Sequence, residues 1–188
     1  MSIDWRDLDP NAPKKDPKRQ MQGQMNRVVG EHFEQYIKAA CEFYKMKDLA
    51  YVEKTPEPFK VTGKRTGPYG NGLIFEGHFE KPAQPDFKGT LKGGRSIVFE
   101  AKTSQGDRIL QSKVTEEQVN ALEFHHNLGA LCYVFVAMGM RDAFRVPWEV
   151  WQNMKSLYGR KYMTFRELEP FTLTQKNGII LLFDGVEL

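Results

Sequence analysis

The sequence predicts an α/β fold with a mixed central β-sheet flanked by helices. Three observations carry that expectation. Segments of helical period and strand-like runs follow one another along the 188 residues in the order helix, strands, helix, strand, strand, helix. Two of the strand-like runs, 86–91 and 95–102, flank Lys92-Gly93-Gly94, the length and composition of a hairpin loop. Residues 130–137 are apolar at successive positions, the pattern of a central strand buried on both faces. The length is that of one domain. With 40% apolar and 12% aromatic residues, such a chain buries about 70% of its unfolded surface and needs no disulfide or metal to fold.

The elements follow in order. Residues 1–25 are polar and proline-bearing, with basic side chains around a few aspartates, and read as a flexible arm. From 26 to 46, Val29, Phe33, Tyr36, Ile37, Ala40, Cys41 and Tyr44 recur at helical spacing. Glu34 falls on the border of that face, where a glutamate is most often a solvated flank. Lys54-Thr-Pro-Glu-Pro breaks regular structure. Residues 60–72 hold four glycines, three basic residues and a proline, and 73–80 resume as a strand. The hairpin comes next, with a glycine free to take positive φ at the end of its loop. Thr115-Glu-Glu-Gln118 is a capping box that Val114 and Val119 can staple, and its helix runs to Gly129 as the C′ residue. After the central strand, 143–146 form a short strand, and Pro147 is the first residue of a helix carrying Trp148 and Trp151. Those two indoles are expected among the exposed aromatics available to a subunit interface. Thr164-Phe-Arg-Glu167 opens another short helix, and Asn177-Gly178 marks a final hairpin. No internal repeat is present.

Charge is unevenly spread. There are 27 basic and 24 acidic side chains, a net +3, yet residues 54–113 alone carry 11 basic and 6 acidic. A polyanionic partner would be met in this middle third, although a solvated basic face has the same composition. Lys54, Lys60, Lys64, Arg65 and Lys88 are its candidates for phosphate contacts. Cys41 and Cys132 stand alone inside apolar runs and are expected as two buried thiols of a reducing, cytoplasmic compartment, not a bridge or a metal site. The amino terminus lacks the apolar stretch of a signal peptide, and the longest apolar run, 130–138, is too short to span a bilayer. Neither secretion nor membrane insertion is expected. His125 and His126 read as surface or cap residues, and His32 and His78 have no ligand-like spacing. Gly-x-Ser-x-Gly and phosphate-cradling glycine loops are absent.

The chemistry lies at Pro85-Asp86 and, after thirteen residues, Glu100-Ala101-Lys102. Residues two apart share a strand face, so Glu100 and Lys102 project together. A hairpin centred on Gly93 sets Asp86 opposite Glu100, with Cβ atoms roughly 5 Å apart. Two carboxylates that close repel unless a cation lies between them. Magnesium, with oxygen distances of about 2.1 Å, fits the gap and keeps positions for water and phosphate. Lys102 beside it can hold or help deprotonate an attacking water, or steady phosphate charge. A lone Glu-x-Lys is ordinarily an exposed ion pair, and an Asp after Pro ordinarily a turn. Here Val98 shares the face of Glu100 and Lys102 while Ile97, Phe99 and Ala101 fill the other. The strand is therefore expected to be covered on both faces, where charges demand partners or a metal.

These residues resemble the PD-(D/E)XK nuclease superfamily. Gly30-x-x-x-Glu34, Lys54-Thr-Pro-Glu-Pro, Asp86-Phe-Lys-Gly, Phe99-Glu-Ala-Lys102, Glu117-Gln118-Val119 and Gly159-Arg160-Lys161 follow one another as in RecU-type Holliday-junction resolvases. The likeness runs from about Asn26 to Leu168. It implies a restriction-endonuclease-like core with a protruding stalk at 60–81, within a nuclease domain of 26–188. It implies a magnesium-dependent endonuclease, with manganese as a substitute, in which Asp86 and Glu100 are metal ligands and Lys102 is the catalytic lysine. Glu34 would complete the acidic cluster. Gln118, otherwise explained by its capping box, would lie near the scissile phosphate. The resemblance further implies a homodimer acting on branched DNA, the four-way junction of recombination and repair, with recombination proteins as candidate partners.

The chain departs from that pattern in its amino-terminal arm, whose role in DNA binding stays open, and in two further places. Ala83-Gln84-Pro85 stands where the family usually has small hydroxyl residues. The spacing from Asp86 to Glu100 is one residue longer than is common, with the doubled Gly93-Gly94 as the insertion, which a β-bulge could absorb. Two alternatives stay open: a general or restriction-like branched-DNA nuclease, and a DNA-binding module that keeps the fold without activity. The joint presence of Glu34, Asp86, Glu100, Lys102 and Gln118 favours catalysis.

Overall fold

The structure, a computed structural model, describes residues 16–56, 59–66, 73–79, 84–139 and 142–186. In chain order the elements are α1 (Pro17–Met46), β1 (Ala50–Lys54), β2 (Phe59–Thr66), β3 (Leu73–Phe79), β4 (Phe87–Leu91), β5 (Ser96–Ser104), β6 (Arg108–Leu110), α2 (Glu116–Asn127), β7 (Leu131–Met138) and β8 (Asp142–Pro147). There follow α3 (Trp148–Gln152), α4 (Met154–Tyr158), β9 (Tyr162–Thr164), α5 (Phe165–Leu168), β10 (Gln175–Lys176) and β11 (Ile179–Ile180). No helix among the described residues is long and apolar enough to cross a membrane.

A five-stranded mixed sheet of order β1-β4-β5-β7-β8 organises the molecule, in agreement with the expected fold class. Only β5 and β7 run parallel; their neighbours are antiparallel. Because strand side chains alternate, β5 and β7 feed two cores. Ile97, Phe99 and Phe135 pack under α1 with Phe33, Ile37 and Tyr44. Val98, Val134 and Val136 pack on the other side with Leu122 of α2 and Trp148 and Trp151 of α3. Both faces of the interior strands are thus covered, as their apolar runs require.

The hairpin keeps the expected register: Phe87 faces Phe99 and Thr90 faces Ser96, without a shift. The extra residue sits in the loop, where Gly93 and Gly94 both have φ near +90°, and no bulge is formed. Glycine alone takes that conformation without strain, so the insertion is absorbed where it costs least. Phe87 stacks on Phe99 with centroids 5.0 Å apart, and Phe99 meets Phe135 edge-on at 4.5 Å. These contacts hold the register from the α1 side. Gly89 has a different constraint. A Cβ there would lie 2.0 Å from the Tyr51 carbonyl oxygen of β1, so close strand approach requires glycine.

Several expectations are corrected. α1 begins at Pro17, so residues 17–25 are helical and not part of an irregular arm. Pro17 suits the first helical position, and Lys18, Arg19, Gln20 and Met21 are good helix formers. Residues 21–28 are exposed, so these turns carry no apolar period from which to read them. Residues 1–15 lie outside the described residues. Tyr36, at the edge of the α1 stripe, is exposed. The stretch from 59 to 66 is a strand, paired antiparallel with β3 in a separate two-stranded ribbon and interrupted by an irregularity between Val61 and Gly63. The remainder of 60–81, residues 67–72 and 80–81, lies outside the described residues. Pro147 is the N-cap of α3 and not its first residue. Trp148 and Trp151 are 0% exposed, so neither supplies an exposed interface. β1 and the β6–β9 pair have no counterpart in the predicted elements.

The other local signals stand. α2 opens on a complete Thr115–Gln118 capping box and ends at Gly129 with φ +88°. α5 opens on a Thr164–Glu167 box. Asn177 and Gly178, both at positive φ, join β10 to β11. Cys41 and Cys132 are free, buried thiols, and burial pushes both up to about 12.

Candidate active site

The register that pairs Phe87 with Phe99 carries one residue further and sets Asp86 opposite Glu100. Each carboxylate is tied to the other strand. The backbone amide of Asp86 donates to Glu100 Oε1 at 3.3 Å, and the amide of Ala101 donates to Asp86 Oδ2 at 2.9 Å. Lys102, two residues along the same face, donates from Nζ to Glu100 Oε2 at 2.7 Å and lies 3.7 Å from Asp86 Oδ2. The three predicted residues are therefore brought together by one hairpin and its register.

Their environments differ in a useful way. Glu100 is 0% exposed, Lys102 15% and Asp86 27% at the side chain. Val98 lies on the same face of β5, and in register across β7 stand Val134 and Val136, so the carboxyl of Glu100 has an apolar surround. Burial pushes it up to about 8, the nearby Asp86 adds to the rise, and Lys102 opposes it. A buried carboxylate is costly to ionise unless positive charge arrives.

That donor set fits magnesium. The ion takes one or two protein carboxylates and completes its shell with water and substrate phosphate. Asp86 and Glu100 are two such oxygen donors at the rim of a buried face. Among the described residues no group of three or more His, Cys, Asp and Glu side chains is gathered.

Glu34 and Gln118 stand apart from this triplet. Glu34 of α1 is ion-paired with Lys54 Nζ. Lys54 lies opposite Phe87 and so on the α1 side of the sheet, the other face from Asp86. Gln118 is buried on α2, the helix covering the Glu100 face, and its side-chain oxygen accepts from the Thr115 amide at 3.1 Å. The capping role is thus formed.

The basic candidates are dispersed. Lys88 is exposed on the face of Asp86, two residues along β4, and donates to Gln84 Oε1 at 2.9 Å. Lys60 and Lys64 are exposed on β2, with Lys64 Nζ 5.7 Å from the centroid of Phe75, and Arg65 pairs with Ile74 in the ribbon register.

Sequence reasoning gave Thr55 no role of its own within Lys54-Thr-Pro-Glu-Pro. Its amide donates to the Asp86 carbonyl at 2.8 Å, continuing the β1–β4 register by one pair. Its Oγ1 is fully buried and has no hydrogen-bond partner among the described residues. The alternation of Ala50 and Val52 with Tyr51 and Glu53 was the available signal for β1, but five residues before a Pro-rich break carry little weight.

Residues 28–185 match the family model described as RecU, Recombination protein U. A Holliday junction resolvase RecU of Lactobacillus delbrueckii subsp. bulgaricus is 26% identical over 155 residues, 79% of this chain and 73% of that protein. One from Listeria welshimeri is 24% identical over 146 residues, 74% and 72% of the two chains. One from Staphylococcus saprophyticus is 21% identical over 174 residues, 89% and 82%. Among solved structures, Archaeoglobus fulgidus Hjc, a Holliday junction resolvase from an archaeal hyperthermophile, is similar at a TM-score of 0.40 and 14% identity, over 64% of this chain and 74% of that one.

Proposed function

Because the chain belongs to the RecU family, we propose that it is a Holliday-junction resolvase, a metal-dependent endonuclease that hydrolyses one phosphodiester in each of two strands of a four-way DNA junction. The observation that carries this reading is the gathering of Asp86, Glu100 and Lys102 on one sheet face. Asp86 and Glu100 would hold magnesium, for which manganese can substitute. When bound, the ion supplies a Lewis acid and a more acidic water.

The remaining work falls to the chain. Glu100 is buried and fixed, Asp86 is anchored by the Ala101 amide, and the two keep their separation without reorganising. Lys102 is steered by both carboxylates and steadies the negative charge that develops on the scissile phosphate. Gln118 acts in support from the first turn of α2, the helix that covers the Glu100 face, whereas Glu34, paired with Lys54 on the opposite face, braces that side of β1. Lys60, Lys64, Arg65 and Lys88 meet phosphates, and the β2–β3 ribbon serves as the stalk that reads the branch. The enzyme works as a homodimer in the cytoplasm, alongside recombination proteins.

One gel tests the reading. Labelled four-way junction and matched linear duplex are each incubated with the protein, in magnesium or in excess chelator. Paired cuts in the junction, in magnesium only, are expected. Junction cleavage in excess chelator overturns the metal-dependent mechanism, and equal cleavage of linear duplex favours a general nuclease.

A further inference from the structure

The β1–β4 and β4–β5 registers extend to a single row. Thr55 stands opposite Asp86, and Asp86 stands opposite Glu100, so all three lie on one face across three adjacent strands. Lys54, one residue earlier, turns to the other face and pairs with Glu34. The row ends in a hydroxyl that is buried and unpaired among the described residues. Buried polar groups are nearly always hydrogen-bonded, and an orphan at a functional site calls for the partner it was built to meet. A threonine hydroxyl both donates and accepts, which suits a water molecule better than it suits a bare cation.

We propose that Thr55 is a further positioning residue of the active site, its hydroxyl holding a water of the divalent cation's shell beside Asp86. This rests on the reading of Asp86 and Glu100 as metal ligands. The hydroxyl orients that water and, through it, the ion.

The consequence is a pair of opposite effects that a purely structural threonine would not produce. Thr55→Val keeps the shape and removes the orphan, so the metal-free variant melts at or above the temperature of the parent. Its magnesium affinity, read without DNA as the midpoint of the magnesium-induced rise in melting temperature, falls about tenfold. Junction cleavage falls to match at low magnesium and recovers at high. Thr55→Ser, which restores the hydroxyl, stays close to the parent in magnesium midpoint. If Thr55→Val takes up magnesium and cleaves as the parent does, or if Thr55→Ser fails as badly as Thr55→Val, the proposal is overturned. A parent protein whose melting temperature ignores magnesium would instead fail the metal-site reading itself, and Thr55 with it.

Discussion

Lys102 has two carboxylates as neighbours and little access to water, so its ammonium is held in place before any substrate arrives. Groups of this kind contribute through position and charge. Asp86→Ala, Glu100→Ala and Lys102→Ala should therefore each lower junction cleavage by a hundredfold or more, on the order expected for lost charge stabilisation or proton handling. Junction binding, measured by gel shift, should persist, because it rests on basic side chains elsewhere. A variant cleaving at the parental rate would remove that residue from the site. Gly89 is constrained by space alone. Its missing Cβ is what lets the Tyr51 carbonyl approach, and Gly89→Ala should cost about 3 kcal/mol or more, read by urea unfolding. Parental stability in that variant would show that β1 can step aside.

At the scale of elements, α5 depends on one carboxylate. Glu167 accepts from the Thr164 amide at 2.8 Å, the Thr164 hydroxyl at 2.9 Å and Arg160 at 2.6 Å. The backbone bond above all holds its carboxyl below the ordinary range. A depressed folded value means that the stabilisation is complete above the unfolded value, about 4.3, and is lost as pH falls through the folded value. Glu167→Ala should thus cost about 1 kcal/mol at neutral pH. The gap between variant and parent should close in acid, and a gap independent of pH would assign the loss to packing. Among the described residues the β2–β3 ribbon pairs with no other strand, and its described side chains are largely exposed. Replacing Lys60, Lys64 and Arg65 with alanine should weaken junction binding and flatten its salt dependence by about one unit of log–log slope per lost phosphate contact. Saturating junction should still be cut. Unchanged binding and preference over linear duplex would make the ribbon an ordinary surface hairpin.

For the whole molecule, symmetry sets the expectation. Resolving a junction takes two cuts on strands related by a dyad, while one chain offers one Asp86–Glu100–Lys102 site. A twofold dimer matches that geometry through an isologous interface. Light scattering should give twice the 21.7 kDa chain mass. A monomeric mass at the concentration where paired cuts are made would refute it. Trp148 and Trp151, buried under the sheet, are not available to such an interface. Phe124 of α2, Leu128 just beyond that helix and Leu157 of α4 remain exposed.

What the sequence determined by itself has short reach. The capping boxes at Thr115 and Thr164, the positive-φ turn at Asn177-Gly178 and the strand at 131–138 each follow from residues within one turn, loop or run. The hairpin belongs with them. A three-residue loop sets its register, and that register alone juxtaposes Asp86, Glu100 and Lys102, which is why the core of the site was legible. Tertiary structure decided whatever depends on a neighbour distant in the chain. It added β1 to the sheet edge, joined three-residue strands at 108–110 and 162–164, turned Glu34 to Lys54, and buried both indoles. It also left Thr55, opposite Asp86, with a buried hydroxyl that has no partner among the described residues. A five-residue strand has too few alternations to declare itself, and a side chain's partner across the sheet is set by which strand packs there, not by the spacing around it.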